Sequence, residues 1–213
     1  MAEKRTTYHH GDLRAALVTA GIGLARDGGP QAVVLREVAR IVGVAPNSAY
    51  GHFKTLAALK SAVTQRAQSE MGAAMSVHLD AAPLPDDPRE AAKARLREVG
   101  RSYIRFALDE PGLFRTAMGG SPIGLRVPGS LADAPDGPEP DTFLLHALTR
   151  LIEVGYLDPA DLGRAVTASW ALVHGLSIMF LDLLAPMTEE QRQSTIDDAL
   201  DVLVAGLTAP HAR

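Results

Sequence analysis

Apolar residues return at intervals of three and four along most of this chain, and no stretch alternates polar and apolar residues as a half-buried strand would. Leu13, Ala16, Leu17, Ala20 and Leu24 make the first such stripe, which Gly28-Gly29-Pro30 stops. Leu35, Val38, Ala39 and Val42 repeat it over a shorter length. Gly43 then supplies a permissive backbone for a tight turn before a third short helix over about 45–52. Thr55 is placed to cap a long fourth helix over about 56–78, with Leu56, Leu59, Val63, Ala67, Met71 and Ala74 along its stripe, although Ala58 stands where a capping box would put an acid.

Pro83, Pro85 and Pro88 break the chain next. A fifth helix follows over about 89–108 with Leu96, Val99, Tyr103 and Phe106 inward, and Pro111 opens a short sixth through Leu113, Phe114 and Met118. Residues 119–140 are rich in Gly, Pro, Ser and Asp without period and read as a loop. Helices return over 141–154, 160–184 and 189–207. The pattern therefore predicts an all-α protein of about nine helices: a three-helix head over 1–54 with a short helix, a glycine turn and a second short helix, on a larger helical domain over 55–213.

With 213 residues, 46% of them hydrophobic, the chain has enough apolar material for a real core. It has no cysteine, which excludes disulfides, thiolate metal sites and thiol nucleophiles. The net charge of -4 hides an asymmetry: residues 1–60 hold eight Lys/Arg against four acids, which leaves 13 basic and 21 acidic residues for the rest. A basic head on an acidic body suits local phosphate attraction, which salt screens within about 8 Å. The start of the chain is polar, without the apolar core of a secretory signal. The run over 165–184 approaches the ~20 residues that a bilayer requires. Thr167, Ser169, His174, Ser177 and Asp182 interrupt it and no basic cluster flanks it, so the expectation is a helix buried between the core and a partner subunit, in a cytoplasmic protein with no membrane segment.

Leu35-Arg36-Glu37-Val38-Ala39-Arg40-Ile41-Val42-Gly43-Val44-Ala45 followed by Ala49-Tyr50-Gly51-His52-Phe53 resembles the helix-turn-helix of TetR-family transcription regulators. The opening Tyr8-His9-His10-Gly11-Asp12-Leu13-Arg14 resembles one large subgroup of that family, whose late Trp-x-x-x-His-Gly signature is matched by Trp170 to Gly175. The resemblance implies a homodimer that binds a pseudo-palindromic double-stranded DNA operator and is released by a small-molecule effector, with no cofactor and no enzymatic activity. A recognition helix presents small or hydrogen-bonding side chains to base edges, which marks Pro46, Asn47, Ser48, Tyr50 and Gly51 for the groove and Val44, Ala49 and Phe53 for the head's core. Tyr50 as a packed aromatic, and Asn47 and Ser48 as mere helix-start residues, stay open at this point.

Lys4, Arg5, Arg36, His52 and Lys54 suit phosphates, because a point charge positions a protein without reading sequence. One departure matters: the family's usual Lys-Glu pair at the start of the fourth helix is Leu56-Ala57 here, so a phosphate contact is missing and weaker or differently spaced DNA binding is expected. The effector pocket is implied within the helical body, where Tyr103, Phe106, Phe114, Met118, Trp170, His174 and Met179 are large or adaptable side chains; each also suits plain core packing. His9-His10 with Asp12, and His174 with Asp182, are too poorly spaced for metal or acid-base work, and no nucleophile elbow, phosphate loop or zinc spacing is present. The rival function is a helical ligand-binding or interaction module that has lost sequence-specific DNA binding.

Overall fold

The computed structural model describes residues 10–119 and 139–209, with side chains from 13 onward. Lys4, Arg5 and the 120–138 stretch of the expected loop lie outside the described residues. Within them the elements run α1 (His10–Ala32), α2 (Leu35–Val42), α3 (Pro46–His52), α4 (Leu56–Ala81), α5 (Pro88–Asp109), α6 (Pro111–Gly119), α7 (Pro140–Glu153), a 3-10 turn (Pro159–Asp161), α8 (Leu162–Leu181) and α9 (Glu189–Thr208), with no strand. The all-α architecture is as the hydrophobic period predicts. Two compact units are present, one built from the chain up to residue 67 together with α6, the other from residues 68–111 and 139 onward.

The first unit begins with α1, whose helical path breaks at Gly29 (φ 67°, ψ -167°) where the Gly-Gly-Pro sequence placed a stop; one further turn then reaches Ala32. Gly43 ends α2 in the left-handed region (φ 77°), and the Val44 N–H reaches back to the Ala39 carbonyl at 3.0 Å. Pro46 at the first helical position starts α3, where its missing N–H costs nothing. Leu17, Ala25, Val38, Ala39, Ala49, Leu59 and Val63 are completely buried and form the core of this unit. Arg14 closes it on one side, its guanidinium 5.0 Å from the centre of the Phe53 ring. The Thr55 hydroxyl caps α4 by accepting from the Ala58 N–H at 3.1 Å. The apolar stripe of α4 starts at Leu59, however: Leu56 is 40% exposed and Ala74 is exposed, so neither turns inward as the period suggested.

α6 joins the first unit by close backbone contact. Gly112 is buried where any Cβ would overlap the carbonyl oxygens of Ala25 and Arg26 in α1, and the Thr64 hydroxyl of α4 donates to the Thr116 carbonyl at 3.2 Å.

In the second unit α5 is the central element and packs against α7, α8 and α9. Asp87 caps it by accepting from the N–H groups of Arg89 (3.0 Å) and Glu90 (2.9 Å). Leu96, Val99, Tyr103 and Phe106 are all buried along it, as their spacing predicts. At Gly100 the absent side chain lets Leu200 of α9 and Val173 of α8 approach the α5 backbone. Arg101 bridges Glu98 of its own helix and Asp197 of α9 (2.8 Å), and Arg97 meets Asp201 at 2.6 Å. α9 opens on a reciprocal capping box between Thr188 and Gln191.

The stretch expected to be one helix over 160–184 is instead a 3-10 turn followed by α8, which stops at Leu181. The chain leaves the helix at Asp182 (φ -123°, ψ -80°), and the Leu184 N–H closes the end by reaching back to the Met179 carbonyl at 2.7 Å. α8 with its 3-10 turn is long and apolar enough by composition to cross a membrane (23 residues, mean hydropathy 1.3). Ala165, Val166, Ser169, Val173, Leu176, Ser177 and Phe180 are buried in the fold, while Ile178 (36%) and Met179 (40%) are exposed, so a single chain covers one side of the helix and leaves the other open.

Replacing Gly112 with Ala is expected to lower the stability of the first unit by about 1–3 kcal/mol or more, because the new methyl meets backbone rather than a side chain that can swing aside. Thermal melts of Gly112→Ala beside Gly51→Ala check this, since a Cβ at Gly51 meets nothing within 4 Å and should leave the melt unchanged or raise it.

Candidate functional site

α3 presents two contrasting faces. Ala49 is completely buried and Phe53, just past the helix, is 2% exposed, while Val44 is half-buried before it. Pro46, Asn47, Ser48, Tyr50 and Gly51 are all exposed, with Tyr50 at 48%. The packed-aromatic alternative for Tyr50 is thus not what the fold shows. His52 is half-buried, and Arg36 on α2 and Lys54 after α3 are exposed. Arg40, the other α2 cation, is drawn to Glu37 one turn back, Nη2 to Oε1 at 2.5 Å; that hydrogen bond holds the Glu37 carboxyl below its ordinary range. Arg36 is accordingly the better placed of the two for an external anion. The result is a short helix offering small and hydrogen-bonding groups outward, with an exposed arginine on the helix before it and an exposed lysine just after it.

The seven side chains singled out for an effector stand on α5 and α8 of the second unit and α6 of the first. Phe114 and Met118 stand on α6 in the first unit, the former completely buried and the latter half-buried. Tyr103 and Phe106 on α5 are 5% exposed, Trp170 and His174 on α8 are half-buried, and Met179 is exposed. Three of them form a cluster. The Trp170 and His174 rings stack with centroids 4.6 Å apart and planes 13° from parallel, as their i, i+4 spacing allows. The Tyr103 hydroxyl lies 3.1 Å from His174 Nδ1 and also hydrogen-bonds Trp170. The indole N–H donates to the Tyr103 oxygen, and the phenol and Nδ1 share a hydrogen bond whose direction follows the imidazole tautomer. Burial, reinforced by the negative charge of Asp141, pushes the Tyr103 hydroxyl well above its usual range, and burial pushes His174 down. The cluster is therefore uncharged at neutral pH.

Sequence reasoning missed two hydroxyls in the same unit. Thr142 Oγ1 on α7 and Ser169 Oγ on α8 are buried and have no hydrogen-bond partner. Nothing in the composition distinguishes them from other Ser and Thr residues, because the lack of a partner exists only in three dimensions. Also unforeseen is a cleft of about 420 Å³ lined by His78, Arg101, Arg105, Leu108, Asp109, Glu189, Gln193 and Ile196, which contains none of the proposed effector residues. Arg101 is paired with Glu98 and Asp197 and Arg105 with Asp109, and His78 Nε2 hydrogen-bonds Glu98 at 3.1 Å. Among the described residues no group of three or more His, Cys, Asp or Glu side chains is arranged to hold a metal ion.

Residues 96–207, just over half of the chain, match the family model described as "Tetracyclin repressor-like, C-terminal domain". The chain belongs to the TetR family of transcription regulators. Members of this family are DNA-binding regulators and not enzymes. No curated protein sequence matches the chain. Solved structures of the same fold include a protein of unknown function from Rhodococcus sp. RHA1, 22% identical, with a TM-score of 0.70 over 96% of this chain and 100% of that one. RolR in complex with resorcinol is 18% identical, with a TM-score of 0.61 over 95% and 96% of the two chains. A TetR variant from Acinetobacter baumannii AYE in complex with minocycline is also 18% identical, with a TM-score of 0.61 over 92% and 98%.

In this TetR-family protein the desolvated His174 makes stability depend on pH. Its folded pKa lies below the unfolded value, so the stability held by neutral imidazole is fully present above about pH 6.5 and is lost as pH falls toward and through the depressed value. His174→Gln is expected to flatten the fall in melting temperature between about pH 6.5 and pH 5, a change that calorimetry at half-unit pH steps detects.

Proposed function

We propose that the protein is a homodimeric repressor in the cytoplasm that grips a pseudo-palindromic operator through α3 of each subunit and lets go when a small molecule binds its second unit. The observation that supports this most is the α3 surface: Pro46, Asn47, Ser48, Tyr50 and Gly51 outward on a helix anchored by Ala49 and Phe53. Arg36, His52 and Lys54 take phosphates, as do Lys4 and Arg5 from the N-terminal arm. Dimerisation would cover Ile178, Met179, Leu183 (75% exposed) and Val202 (76%), apolar side chains on and beside α8 and α9 that a lone chain leaves in water. Two copies related by a two-fold axis require two half-sites.

The effector reading rests on the uncharged Tyr103–His174–Trp170 cluster, with Phe106 beside Tyr103 on α5, and on the solved neighbours that hold resorcinol and minocycline. Phe114, Met118 and Met179 are kept as candidate contacts. An effector that favours a conformation with misplaced heads lowers DNA affinity, because coupling between two sites is reciprocal. Placement in the Trp-x-x-x-His-Gly subgroup rests on the sequences Tyr8 to Arg14 and Trp170 to Gly175.

A second reading, a sensor or interaction module without sequence-specific DNA binding, is favoured by one feature. Leu56 puts an exposed apolar side chain at the start of α4, where the family commonly has a phosphate-binding lysine.

Selection from a random duplex library at near-physiological salt, without added ligand, decides between them. Enrichment of a palindrome with half-sites a helical turn or more apart is the expected outcome. A folded dimer that enriches nothing sinks the regulator reading and promotes the sensor. On the selected site, Tyr50→Ala is expected to lose about tenfold or more in affinity and to relax base preference. Lys54→Ala should weaken all sequences alike and reduce the salt slope by about 1.

A further inference from the structure

The cleft of about 420 Å³ in the second unit shares no residue with the chemistry proposed so far, and its size suits a small molecule. Three helices supply its walls. His78 comes from the end of α4, Arg101 and Arg105 from α5, and Glu189 and Gln193 from the first turns of α9, with Leu108 and Ile196 as apolar surface between them.

The hydrogen bonds already made on these walls decide what a ligand can still find. His78 and Arg101 are committed: Nε2 of His78 bonds Glu98 at 3.1 Å, and the Arg101 guanidinium bonds Glu98 and also Asp197, through Nε at 2.9 Å and Nη2 at 2.8 Å. Arg105 differs. Its one ion pair among the described residues runs from Nε to Asp109 at 3.4 Å, between side chains 68% and 65% exposed, which is long for a hydrogen bond and worth little in water. Both of its Nη groups stay open, and a planar fork of that kind takes a carboxylate in two parallel bonds.

On the α9 wall the open groups are acceptors. Arg192 engages only Oε2 of Glu189, at 2.9 and 3.2 Å, which leaves Oε1 to accept. Gln193 donates its Nε2 to Asp197 at 3.1 Å, which leaves its amide oxygen to accept. A cationic fork on one wall, with a carboxylate oxygen and an amide oxygen on another, matches a molecule that carries both charges. An anion alone would leave the Glu189 carboxylate without a donor, and a cation alone would leave the Arg105 fork without an acceptor.

We propose that this cleft is a second ligand site, for a zwitterion of amino-acid to dipeptide size with an apolar side chain. The ligand's carboxylate pairs with the Nη groups of Arg105, its ammonium donates to Oε1 of Glu189 and Oε1 of Gln193, and its side chain lies on Leu108 and Ile196. The site shares no residue with the Tyr103–His174–Trp170 cluster, so neither reading depends on the other.

Calorimetric titration of the full chain at low salt tests this, with leucine and leucyl-leucine as probes beside their N-acetylated and C-amidated forms. The free zwitterions should bind about tenfold or more tighter than either blocked form, since each block removes a hydrogen bond between charged groups. Arg105→Gln should erase the preference for a free carboxylate and keep that for a free ammonium; Glu189→Gln should do the reverse. Both side chains are exposed, so the melting temperature of each variant should stay that of the parent. No binding of either zwitterion at millimolar concentration, a blocked form that binds as tightly as the free one, or variants that keep both preferences would overturn the proposal.

Discussion

Burial of α5 is the interaction on which the second unit depends. Nine of its residues are buried, Leu96, Val99, Tyr103, Ile104 and Phe106 among them, and α7, α8 and α9 each satisfy their own apolar face by packing on it. Each fully buried Leu, Ile or Phe contributes about 1.5–3 kcal/mol relative to exposure, so this one helix carries a large share of the apolar driving force. Gly100 sets how near α8 and α9 can come, and the Arg97 and Arg101 ion pairs hold α9 in register at the rim. These pairs are partly solvated and add geometry more than energy.

Because α5 is central, the groups it carries inward have no water to answer to. Tyr103 must find its hydrogen bonds within the fold, and it takes them from two residues a single turn apart on α8. The need to pair one buried phenol thus orders Trp170 and His174, and the loss of solvent that creates the need also keeps the cluster neutral.

The first unit answers to a different constraint, the sharp reversal at Gly43. A left-handed residue there lets α2 end and α3 begin within a few residues, with Ala49 and Phe53 turned to the core and the opposite face left outward. Backbone geometry at one glycine therefore decides which side chains of α3 can meet a ligand.

Much of this was legible along the chain. Hydrophobic period, proline and glycine stops and the Thr55 cap placed the helices within a few residues, and the motif from Leu35 to Phe53 marked the face that proved exposed, because local backbone preferences and burial of one stripe act over short distances. What tertiary structure alone decided is which distant groups meet. Leu56 follows the stripe of α4 yet lies outside, since the core ends one turn later. Phe114 and Met118 pack within the first unit, because Gly112 lets α6 sit on the α1 backbone, a close approach that no pattern along the chain announces. The hydroxyls of α8 meet the same limit: Ser169 and Ser177 are indistinguishable in sequence, yet Ser177 bonds its own helix and Ser169 does not. Pairing of buried polar groups depends on rotamers and neighbours that come together only on folding, and no pattern along the chain encodes it.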